Sequence, residues 1–172
     1  YCGSVSYFEV IEFVISAFEK SQKSQFLYLI SKSNDLLIKR INESSKKNNI
    51  RLFSNISYDK LISLYKQCTA FVIPLRPNIN DVARFPHKIS EFCASGKPFI
   101  SNNYGEVDVY FKDKLNALLC NEYSVGKFAN KMDEVYENTE KLKSIGRNSF
   151  ELGELHFSHL AYVDKLKNFI DV

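Results

Sequence analysis

The chain has 172 residues, 45% hydrophobic and 25% charged, a globular balance in a length that buries one core. Its 23 basic and 20 acidic residues leave a net charge of +3, which excludes the broad basic field of a nucleic-acid binder. No apolar run approaches the ~20 residues of a membrane-spanning helix.

The chain opens on "YCGSVS", a strand already under way, which suggests a piece cut from a longer protein. "FEVIEFVISAFEK" then places Val10, Val14, Ala17 and Phe18 on one helical face. "QFLYLIS" is a dense apolar run of the buried parallel-strand kind. "NDLLIKRINESSKK" reads as a helix capped by Asn34, "IRLFSNI" as a strand, and "SYDKLISLYKQC" as a helix capped by Ser57. "TAFVIPL" is a strand ending at Pro74, and a loop over residues 76–84 follows. After a short helix come the strands "KPFIS" and "NALLC". From Ser124 onward the pattern is helical, broken near Gly146 and again near His156.

Strand and helix alternate throughout. That order predicts an α/β domain over residues 1–172. It is a Rossmann-like parallel sheet of about six strands with helices on both faces, closed by a C-terminal helix over 155–172. Ligands of such sheets bind at the carboxyl ends of the strands, so the loops at 3–8, 31–34, 53–57, 74–86 and 101–106 matter most. Cys2, Cys68, Cys93 and Cys120 lack Cys-x-x-Cys spacing and read as small core residues of a reducing compartment. Asn42-Glu43-Ser44 and Asn55-Ile56-Ser57 match the glycosylation sequon, a short pattern that arises by chance.

The stretch "RFPHKISEFCASGKPFI" carries the chemistry. Pro86 suits the first position of a helix and Gly96 the position past its end, which predicts a helix over 86–95. Arg84 precedes that helix and Lys88 sits in its first turn, where cations oppose the dipole. A shared anionic ligand such as a diphosphate would explain both. Glu91 stands three residues after Lys88, so the two also read as an exposed helix pair worth about 0.3 kcal/mol.

"FPHKISEFCASGKPFISNNYGE" resembles the donor-binding segment of retaining GT-B glycosyltransferases, the large family four. "IRLFSNISYDKLISLYKQCTAFVIPL", "YFKDKLNALLC", "HFSHLAYVDKLKNFI" and "GSVSYFEVIEFVISAF" resemble four further motifs of that family, in the same order. The resemblance implies the C-terminal, nucleotide-sugar-binding half of a two-domain enzyme. The acceptor half would be another part of the same polypeptide and the source of any peripheral membrane contact. The implied location is cytoplasmic, at the inner membrane face for the full-length protein.

Carried over residue by residue, Glu91 matches the second of the family's two glutamates and would accept hydrogen bonds from the ribose hydroxyls. The first falls on Ala83, a departure that removes a sugar contact, and Asp81 is the nearest carboxylate on the loop. The backbone of Phe85, Pro86, His87 and Lys88 would cradle the distal phosphate or the sugar. His87 otherwise reads as a surface or packing residue, and His156 and His159 as structural. The family's first strand-to-helix loop carries an Arg and a Lys; "SVSYFE" here has neither, so Arg84 and Lys88 are the expected replacements. The base would lie against Leu52, Phe53 and Ser54, with Gly3 and Ser4 beneath the phosphates and Gly105 and Glu106 lining the donor pocket. Each of the last four also reads as ordinary turn or helix-start chemistry.

The implied function is sugar transfer from a nucleoside-diphosphate sugar to a glycan or lipid-linked acceptor, in surface polysaccharide assembly. With no Asp-x-Asp and no His/Cys cluster, no metal or other cofactor is expected. Two alternatives stay open: a non-catalytic flavodoxin-like nucleotide- or phosphate-binding module, and a degenerate glycosyltransferase half acting as scaffold.

Overall fold

A computed structural model describes residues 1–170. Helix α1 (Phe8–Lys20) is followed by β1 (Leu27–Ile30), α2 (Asp35–Asn42), β2 (Ile50–Phe53), α3 (Tyr58–Gln67) and β3 (Phe71–Ile73). Then come α4 (Ile79–Val82), α5 (Lys88–Ala94), β4 (Phe99–Asn102), α6 (Glu106–Tyr110), β5 (Leu118–Cys120), α7 (Val125–Glu134), α8 (Thr139–His156) and α9 (Val163–Ile170). The two expected caps are present: Asn34 accepts from Leu37 N at 2.8 Å, and Ser57 accepts from Lys60 N at 3.3 Å.

All strand pairings are parallel, β1 with β2 in one sheet and β3–β4–β5 in another. Five strands stand where about six were expected among the described residues, and the sixth is a bridge from Cys2 to Ile30. Gly3 N donates to Ile30 O and Ile30 N to Tyr1 O, whereas Ser31 N donates to Phe53 O. Successive groups of a strand point to opposite sides, so residues 1–3 flank β1 on the edge away from β2. The chain thus builds outward to β1 and β2, then crosses to β3, β4 and β5. The strand order reverses between residues 1–3 and β3, where a cavity of about 260 Å³ lies near the starts of β1 and β3.

Alternate strand residues feed two core layers. Val72, Ile100, Leu118 and Cys120 pack with α1 and α7, while Phe71, Phe99 and Leu119 pack with α3, α5 and α6. Stacked rings of Phe71 and Phe92, 4.0 Å apart and tilted by 7°, tie α5 to the sheet.

Three expectations differ from the structure. Gly146 does not break a helix; it lies inside α8, where a Cβ would come 2.3 Å from Gly96 O. The residue is small because α8 crosses the end of α5 there; the second expected break, near His156, is where α8 ends. The helix expected from Pro86 starts at Lys88, with residues 86–87 in a turn whose carbonyls accept from Ile89 N and Ser90 N. The expected helix over 155–172 runs past the described residues; within them, α8 ends at His156 and α9 is separate.

Candidate functional site

The loops after residues 1–3 and after β3 meet at the strand-order reversal. Ser4 Oγ accepts from Ser6 N and caps a 3-10 turn, Val5–Tyr7, which raises Tyr7 at the mouth. Beyond β3, Asn78 caps α4 by accepting from Asp81 N at 2.9 Å. That turn buries Asp81 to 1% exposure.

Asp81 Oδ2 accepts from Arg76 Nε at 2.9 Å and Arg76 N at 3.0 Å, and Oδ1 from Arg76 Nη2 at 3.2 Å and Arg84 Nη2 at 3.0 Å. Burial alone would raise this carboxyl; the Arg76 bonds and the Arg84 charge outweigh it and hold the group below the usual carboxylate range. Arg84 Nη1 also donates to Tyr7 Oη at 2.9 Å, with its guanidinium 4.8 Å from the ring centroid. Arg84 therefore does reach the first loop, which has no cation of its own.

Lys88 Nζ donates to both Glu91 oxygens at 2.9 Å, the helix pair that spacing alone suggested. Glu91 Oε2 further accepts from Tyr65 Oη at 3.0 Å, which aims the carboxylate from α3. Lys88 is thus paired with Glu91, while Arg84 shares the Asp81 charge with Arg76. Asp81 is not a stand-in for the glutamate lost at Ala83, because its oxygens are taken by Arg76 and Arg84.

The other candidates divide by setting. Phe85 turns inward, its ring 4.8 Å from Phe157 and 6.2 Å from Tyr110. Pro86 O and His87 O are used by the first turn of α5, while the His87 side chain is exposed. Gly105 has φ 55° and would clash with Val82 O through a Cβ, so glycine is required where the loop meets α4; Glu106 follows as the exposed start of α6. Leu52 lies in β2, Phe53 meets Tyr28 edge-on at 5.3 Å, and Ser54 Oγ accepts from Ser33 N at 3.1 Å.

A cleft of about 410 Å³ opens at the ends of β1 and β2, lined by Ser31, Lys32, Phe53, Asn55, Ser57 and Tyr58 among others. Tyr58 is 73% exposed there, an aromatic face open to a planar ring. Ser31 Oγ is the one buried side-chain polar atom without a hydrogen-bond partner among the described residues.

Sequence reasoning missed Tyr7, Arg76 and Tyr65 as parts of the site. Arg76 was legible only as a loop boundary; the Asn78-x-x-Asp81 cap spacing was the signal for a turn that buries a carboxylate beside it.

The family described as glycosyl transferases group 1 matches residues 1–152. An uncharacterized glycosyltransferase of Methanocaldococcus jannaschii is 28% identical over 121 residues, 69% of this chain and 33% of the relative. The Anabaena protein Alr3699/HepE, solved in complex with UDP, superposes with a TM-score of 0.82 at 16% identity, over 99% of this chain and 48% of that one. The C-terminal domain of a glycosyl transferase group 1 protein, LpcC of Francisella tularensis, superposes with a TM-score of 0.75 at 15% identity, over 92% and 84%. The chain therefore spans a third of the curated relative and about half of HepE.

Proposed function

The chain belongs to the glycosyl transferases group 1, and from that premise we propose that it is the donor-binding, C-terminal half of a retaining GT-B enzyme. The donor is a nucleoside-diphosphate sugar, and the acceptor is a glycan or lipid-linked saccharide of surface polysaccharide assembly. The acceptor site belongs to the rest of the polypeptide, which carries any contact with the inner membrane face. The observation that carries the reading is Arg84, brought over Tyr7 at the strand-order reversal by a buried carboxylate.

In this reading Glu91, aimed by Tyr65, accepts from the ribose hydroxyls. Lys88 exchanges its Glu91 contact for a phosphate oxygen as the ribose arrives. The base enters the cleft beside Tyr58 and the strand end at Phe53. As the bond from the anomeric carbon to the diphosphate breaks, Arg84 and Lys88 stabilise the charge on the leaving group. The acceptor hydroxyl attacks the oxocarbenium-like centre from the same face and gives its proton to the departing phosphate. The proposal invokes no metal.

A calorimetric panel of UDP, GDP and ADP, with the corresponding nucleotide sugars offered in a transfer assay, tests this. Saturable binding of at least one diphosphate is expected, with no sugar transfer by this chain alone. If none of the three binds, the donor-binding reading fails and the scaffold alternative stands; transfer to an acceptor by this chain alone would refute its assignment as half an enzyme.

A further inference from the structure

Arg76 has no part in the reading above, yet it is the cation held by the most contacts at the reversal point. It follows β3 by a short step, and its backbone N–H and its guanidinium both bind Asp81. Its remaining Nη1 donates to Glu9 Oε2 at 3.1 Å, and its guanidinium carbon lies 5.8 Å from the Tyr7 ring centroid. Arg84 shares both the Asp81 anchor and the Tyr7 ring. One buried carboxylate therefore fixes two guanidiniums side by side at the crevice mouth.

The two acids that touch Arg76 differ in kind. Asp81 is buried, multiply bonded and part of the fold. Glu9 has a side chain 80% exposed and makes a single contact, the type of surface pair worth about 0–1 kcal/mol. Two cations against one built-in anion leave one positive charge, and only a weakly held, solvent-facing carboxylate covers it. An incoming anion with more oxygens and more charge displaces such a carboxylate at little cost. Asp81 holds the inner side of both guanidiniums, so each offers a diphosphate its outer nitrogen, the one that meets Glu9 on Arg76 and Tyr7 on Arg84.

We infer that Arg76 is a phosphate-binding residue of the donor site, that Asp81 positions it together with Arg84, and that Glu9 covers its outer nitrogen until a diphosphate oxygen takes that place. The inference rests on the donor-binding reading given above and extends it to residues on α1 and the β3 loop. It makes two predictions of opposite sign, which a merely structural ion-pair network does not.

The experiment titrates the parent chain, Arg76→Gln and Glu9→Gln with UDP, uridine and inorganic pyrophosphate, with a thermal melt of each. Arg76→Gln is expected to bind UDP about ten- to a hundredfold more weakly, the scale of charged hydrogen bonds, with uridine affinity unchanged. Glu9→Gln is expected to bind UDP and pyrophosphate about two- to fivefold more tightly, the scale of an exposed ion pair, again with uridine unchanged. If Arg76→Gln melts before it can be titrated, Glu9→Gln decides alone, because Glu9 is exposed. A parent that binds UDP, with Glu9→Gln no tighter or Arg76→Gln no weaker, overturns this inference and leaves the donor-binding reading intact. A parent that binds neither UDP nor uridine overturns both.

Discussion

Glu91→Ala is expected to weaken uridine and UDP binding alike, by about ten- to a hundredfold, the scale of losing hydrogen bonds to a charged partner. The ribose is common to both ligands, so the loss should not depend on the phosphates. Folding should survive, because Glu91 is 43% exposed and its contacts with Lys88 and Tyr65 are local. Two outcomes are informative beyond the parent comparison. A loss confined to UDP would mean that Glu91 acts by steering Lys88 toward phosphate, not by holding ribose. Unchanged affinity for both ligands would leave Glu91 as the helix partner of Lys88 and nothing more.

Asp81→Asn is expected to be the most damaging single change to the stability of the site. It leaves two guanidiniums facing a neutral amide that cannot accept four hydrogen bonds in the same geometry. Breaking a fully buried pair costs about 3–5 kcal/mol; with Arg76 at 21% and Arg84 at 42% exposure, water recovers part of that, and about 2–3 kcal/mol is expected. The pH dependence has a definite sign. The folded-state pKa of Asp81 is held below its unfolded value, so its stabilisation is present above the unfolded pKa of about 4 and is lost as pH falls through the lower folded value. Stability of the parent measured by urea unfolding should therefore drop on acidification below about pH 4, and Asp81→Asn should show a shallower drop. Some acid sensitivity should remain, because Glu19 and Asp133 are also held low by their own partners. An equal drop in parent and variant would show that the Asp81 charge is not what holds the arginines.

Much of the fold was legible because each element carried its own punctuation. The apolar face of α1, the Asn34 and Ser57 caps and the continuous apolar runs of β1 and β3 read directly as structure. Gly146 misled because a glycine inside a helical pattern looks like a stop; its cause is the approach of α8 to Gly96, a contact between elements distant in sequence. The first strand shrank to a bridge for a similar reason, since its length depends on hydrogen-bonding partners on both edges and here only β1 supplies them.

The candidate site was half legible. Arg84, Lys88 and Glu91 stood out because their residue types sit together in one stretch and resemble a family motif. What local spacing could not show is which acid each cation meets. Lys88 meets Glu91 within its own helix, as i,i+3 spacing allows. Arg84 meets Asp81 three residues upstream and Tyr7 from the far end of the chain, and Arg76 meets Glu9 across the same gap. Those contacts exist only once the strand order reverses and sets the first loop beside the β3 loop.

The central claim is that this chain recognises the diphosphate of a nucleotide through arginines gathered at that reversal. The most direct test is calorimetric titration of the unaltered chain with UDP and with uridine, each at two salt concentrations. UDP should bind at least about tenfold more tightly than uridine at low salt, and the gap should narrow as salt screens the charges, while uridine affinity stays constant. Equal affinities for the two ligands, or a gap indifferent to salt, would contradict the account.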